Sequence, residues 1–157
     1  MEDYVSREII SKLLSETKIE IGPPEVKHFQ FVVILADDTH PQTATATISA
    51  VMGMLVEHGA VVSNATPLLF VAVLGVPFPE GNSPEARRGL VDALLRKNGD
   101  RIRIIHGECD GTVGKFGGQH RWTYGALLPG FAGILKKLLD TKFGTAAEVE
   151  SKTPNSA

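Results

Sequence analysis

Apolar residues change their spacing several times along this chain, and each change predicts an element. From Phe29 to Ala36 they run almost unbroken, the pattern of a strand buried on both faces. From Thr43 to His58 they return every three or four residues (Ile48, Val51, Met52, Leu55, Val56), which predicts a helix closed by Gly59. Ala60–Val62 and Leu68–Gly75 read as two strands of a hairpin turned by Ser63–Pro67. Ser83-Pro84-Glu85 opens a helix with serine as cap and proline in the first turn; it should run to about Lys97 and stop at Asn98-Gly99. Arg101–His106 is a strand, Gly111–Thr123 a glycine-rich hairpin, Pro129–Asp140 a last helix and Thr145–Val149 a short strand.

Ahead of this core, Ile9, Ile10, Leu13 and Leu14 form one stripe of a short helix that Ser6 can cap. Ile21–His28 carries two adjacent prolines and reads as a linker, and polar Glu150–Ala157 as a frayed, disordered tail. The expected organisation is an N-terminal helical coupling segment at 1–20, a domain at 21–149 and a tail at 150–157. The order β-α-β-β-α-β, with strands added at its C-terminal end, predicts an α/β (α+β) fold with a ferredoxin-like core.

Composition narrows the function classes. With 157 residues, 43% hydrophobic and 22% charged, the chain suits one globular domain. A formal charge of −2 supplies no general attraction to nucleic acid or anionic lipid. The single cysteine, Cys109, excludes an internal disulfide framework and fits a reducing cytoplasm. No apolar stretch approaches the ~20 residues that span a bilayer, so no membrane insertion is expected.

Candidate chemistry begins where the first apolar strand ends in Asp37-Asp38, a pair suited either to a Mg or Mn ion or to capping the turn into the next helix. The second apolar strand has no acidic residue at its matching end. His106, Glu108, Cys109 and Asp110 are ligand types, but neighbours on one strand point to opposite faces, which argues against a shared ion. Cys109 is then a small buried hydrophobe. Gly114–Gly118, with Lys115, His120 and Arg121, reads as a tight hairpin; Lys115 and Arg121 remain candidates for binding phosphate or an acidic partner. Trp122 and Tyr124 suit the core or an interface.

The blocks YVSREIISKLL, FVVILAD, VMGMLVEHGA, FVAVLGVP, HGECDGTVG and YGALLPGFAGIL occur in the order found in class III nucleotidyl cyclases, and Tyr4 to Val149 resembles that family. The resemblance implies an α/β domain that pairs head to tail. In that family two aspartates hold two metal ions, which activate the ribose 3′-hydroxyl against the α-phosphate. Carried over, Asp37 falls on the first metal aspartate and Leu68 on the second. Asn64 falls on the base-selecting lysine, Trp122 on the other base-selecting position, Pro129 on the ribose asparagine and Gly133 on the transition-state arginine. The span from Asp37 to Gly59, 59 − 37 = 22 residues, is about a dozen shorter than the family's, and the resemblance implies that the missing piece is the loop and short helix whose backbone amides cradle the phosphates.

The resemblance therefore implies a degenerate cyclase homology domain, a pseudoenzyme whose metal and base positions are replaced, acting as a homodimerising signalling module beside an upstream regulatory partner. No cofactor is expected. The alternatives are a cyclase making cyclic nucleotide at a site rebuilt around Asp37, Asp38, Lys115 and Arg121, with Mg or Mn, and a sensor holding a hydrophobic ligand against Leu127, Leu128, Phe131 and Ile134.

Overall fold

The computed structural model describes residues 4–5, 25–118 and 121–149, with side chains described except at 4–5, 64–65, 115–118 and 121–125. The helix expected at Ser6–Leu14, the linker up to residue 24, His120 and the tail at 150–157 lie outside the described residues.

In chain order the elements are β1 (Tyr4–Val5), β2 (Glu25–Ala36), α1 (Pro41–Glu57), β3 (Val61–Thr66), β4 (Leu69–Leu74), α2 (Pro84–Asn98), β5 (Ile102–Gly118), β6 (Arg121–Leu127), α3 (Phe131–Asp140) and β7 (Ala146–Val149). One sheet runs β1-β3-β4-β2-β5-β6, with β7 added parallel to β5 and all other pairs antiparallel. Within it β3-β4-β2-β5 is the ferredoxin-like order, extended by β6, α3 and β7.

The period-two alternation of the strands splits the core in two. Val32, Ile34 and Ala36 of β2 face α1 and α2, meeting Val51, Leu55, Leu90 and Leu94. Phe29, Phe31 and Val33 face the other way with Ile105, Cys109 and Leu138, and α3 covers part of that side. Leu35, Leu69 and Val71 are only half-buried there.

Helix ends follow their local chemistry. The Ser83 hydroxyl accepts from the Ala86 amide at 3.1 Å, with Pro84 in the first turn of α2. Gly59 ends α1 with φ +74°, a conformation that glycine adopts without a Cβ clash.

Several boundaries differ from expectation. Arg101–His106 is only the start of one unbroken strand, β5, which runs on through the first half of the expected Gly111–Thr123 hairpin to Gly118. Glu25–His28 is strand, not linker, because long β5 supplies partners as far as Glu25↔Val113. β3 continues to Thr66, past a register shift between Asn64 and Thr66, so the turn is shorter than Ser63–Pro67. Pro129 stands outside α3, which starts at Phe131 after Gly130 takes φ +67°.

Candidate functional site

The acidic pair stands at a corner where three chain segments meet. The Ala36 amide donates to Leu68 O at 2.9 Å and the Asp37 amide to Arg101 O at 2.8 Å, tying the end of β2 to the residues that lead into β4 and β5. Asp37 is half-buried and Asp38 exposed. The Asp37 carboxylate accepts from the Thr39 amide at 3.0 Å and from the Thr39 hydroxyl, an Asx turn that aims the chain at α1. The hydroxyl bond first, then the amide bond, holds the Asp37 carboxyl below its ordinary pKa, with smaller attraction from His40 and Arg103.

Leu68 lies next to this corner through that bond from the Ala36 amide. It has no donor atom in its side chain, which packs against the helix-side core. Thr66 closes the turn before it, its hydroxyl accepting from the Leu68 and Leu69 amides at 3.2 Å each. Arg103 enters from β5 but donates to Leu139 O (3.0 Å) and Thr141 O (3.2 Å) at the end of α3, and stacks 4.4 Å from the centroid of the Phe143 ring.

Other sequence candidates lie elsewhere. Lys115 pairs with Tyr124, Gly117 with Trp122 and Gly118 with Arg121 at the far end of the β5–β6 hairpin. From Ile102 to Lys115 is 115 − 102 = 13 residues along β5, roughly 40 Å of extended chain. One chain therefore does not bring Lys115 and Arg121 to Asp37 and Asp38. Asn64 sits on β3 opposite Phe70. Gly133 lies in α3 with open space where a Cβ would be. Leu128 is buried, Phe131 and Ile134 pack on the sheet, and Leu127 is exposed. Cys109 points into the core away from His106 and Glu108, and burial pushes its thiol up to about 12. Among the described residues no group of three or more His, Cys, Asp or Glu side chains is placed to hold a metal ion.

A second polar cluster escaped the sequence reading. Arg87 of α2 is 2% exposed and reaches three strands at once. Its Nη1 donates to Gln30 Oε1 on β2, its Nε to His106 Nδ1 on β5 at 3.0 Å, and its Nη2 lies 3.0 Å from Glu148 Oε2 on β7. Arg88 adds two bonds to the same carboxylate, at 2.9 and 3.0 Å. Gln30 Nε2 passes the network on to Asn82 Oδ1 (3.1 Å) and Glu108 Oε2 (3.0 Å). Arg88 first, with Arg87 behind it, draws the Glu148 carboxyl down to about 2. Burial first, and then the Arg87 charge, lowers the His106 pKa, while Glu148 opposes both. The signal was Gln30, the one polar residue within the apolar run FQFVVILA.

No family model and no curated protein matches the sequence. Solved structures do match the fold. The guanylyl cyclase Cya2 is similar with a TM-score of 0.65 at 11% identity, over 80% of this chain and 76% of that one. The adenylyl cyclase CyaB from P. aeruginosa is similar with a TM-score of 0.57 at 13% identity, over 78% and 77%. A dimeric guanylyl cyclase domain of the RhoGC fusion protein from Blastocladiella emersonii is similar with a TM-score of 0.56 at 14% identity, over 79% and 81%. The chain has the fold of nucleotidyl cyclase domains. Among the described residues no helix is long and apolar enough to cross a membrane.

Proposed function

We propose that this cyclase-fold chain has lost nucleotide cyclisation and serves as a dimerising signalling or interaction module. The observation that carries the proposal is Leu68 beside Asp37. Two divalent ions need two carboxylates close together. Here the matching position is a half-buried leucine packed against the core, and Thr39 already occupies Asp37. Losing a single charge-stabilising donor typically costs ~10²–10³ in rate. Leu68, Pro129 and Gly133 replace several at once.

A dimeric state is supported by the half-covered sheet face, where Leu35, Leu69 and Val71 are half-buried. It is supported also by the dimeric form of one similar domain. A regulatory partner would then supply the signal. We place the module in the cytoplasm on the strength of its lone, unpaired thiol.

The test is incubation of concentrated protein with Mn²⁺ and ATP or GTP, with cyclic nucleotide sought by mass spectrometry and mass measured by sedimentation. The expected result is a dimer and no product. Product that vanishes in Asp37→Ala would overturn the reading in favour of a rebuilt metal site.

A further inference from the structure

The cluster around Arg87 carries a consequence that nucleotide chemistry does not touch. β7 pairs with β5 through four residue pairs, Ile104↔Ala146 to Gly107↔Val149, and His106 faces Glu148 across that ladder. Its tie to the helix layer runs through Glu148 to Arg87 and Arg88. In the hydrogen bond from Arg87 Nε to His106 Nδ1 the imidazole must offer a lone pair at Nδ1, so the ring is neutral and any proton sits on Nε2.

We propose that Arg87, His106 and Glu148 form a proton-operated latch that fastens β7 and the N-terminal turns of α2 to the sheet. Protonation of Nδ1 puts two donors face to face at 3.0 Å in a buried site. The contact must then open. Arg87 carries the bonds to Gln30 and Glu148 as well, so its displacement loosens β2 and β5 from α2 and leaves β7 held there only by the exposed Arg88.

The charges around the imidazole are asymmetric. From α2, Arg87 and Arg88 oppose the proton and Asp92 favours it weakly. From β7, Glu148 favours it, but at 4.0 Å and already shared by both arginines. On β2, Gln30 is uncharged, and His28 lies beyond it against Glu108 of β5 at 3.5 Å. The lowered pKa agrees with this balance. The neutral latch is thus fully formed above 6.5, the ordinary histidine value, and weakens as pH falls from there toward the lowered folded value.

Amide hydrogen exchange on the full chain at about pH 7.5 and 5.5, corrected for intrinsic rates, tests this. Ala146–Val149 and the first turns of α2 should lose about five- to tenfold protection relative to β2 at the lower pH. His106→Gln, which carries no titrating proton, should show no such loss. Equal loss in the two proteins, or uniform loss across β2 and β7, overturns the latch. Should the variant fail to fold, NMR titration of the His106 ring in the native chain decides. A pKa below 6.5 that falls further in Glu148→Gln supports the latch, and one at or above 6.5 overturns it.

Discussion

Phe29 on β2 and Gly111 on β5 fit each other with no room for a methyl group: a Cβ on Gly111 would stand 2.6 Å from the Phe29 ring edge and 2.6 Å from Leu127 O. The glycine lets the ring of a fully buried phenylalanine press against the neighbouring strand. Gly107 does the same under Phe31, with Val149 O at 2.7 Å. Gly111→Ala should destabilise the domain by about 1–3 kcal/mol, because a backbone carbonyl blocks one side and a packed ring the other. Urea denaturation measures it. Gly133→Ala, on a helix surface with open space, should be neutral or slightly stabilising.

Arg87 and its neighbour Arg88 share Glu148 yet differ in burial, 3% against 53% side-chain exposure. Arg87→Ala leaves Gln30 and His106 with buried acceptors unmet, and should cost about 3–5 kcal/mol. Arg88→Ala removes an exposed pair and should cost about 0–1 kcal/mol. Equal losses in the two unfolding curves would show that Arg87 is not the joint between helix and strands.

Acid should reach β7 through Glu148. Its folded pKa of about 2 lies below the ordinary 4.5, so its stabilising contribution is complete above 4.5 and is lost as pH falls from there toward 2. Thermal unfolding of wild type and Glu148→Gln should differ most above pH 4.5, with the two midpoints converging in stronger acid.

Cys109 should be inert in the folded chain. A thiol at about 12 instead of 9.0 stands 12 − 9.0 = 3 pH units higher, which cuts its thiolate about 10³-fold before access is considered. A thiol-specific chromophore should react with the native protein only as fast as it unfolds, and at once in denaturant.

The parts of this fold legible in the sequence were those fixed by neighbours in the chain. Ser83-Pro84 announced α2, Gly59 ended α1, and the unbroken run from Phe29 marked a strand buried on both sides. The parts that stayed hidden depend on distant partners. Glu25–His28 joins β2 only because Asp110–Val113 arrives beside it, and nothing local distinguishes it from a linker. Gln30 and Arg87 lie 57 residues apart, and their bond follows from the sheet order, not from any motif. At the strand corner the acidic pair was visible at once. Its Asx bond to Thr39 is the turn-capping arrangement weighed beside metal binding from the start.

β2 has a further lesson for a ribosome. Its first residue in the sheet pairs with Val113, 113 − 25 = 88 positions later, and its last with Ile102. Until β5 has been synthesised, one long apolar strand waits with a bare edge while the hairpin of β3 and β4 can protect only the other. Nascent chains stopped short of β5 should therefore be chaperone clients, and the domain can close only near the end of its own translation.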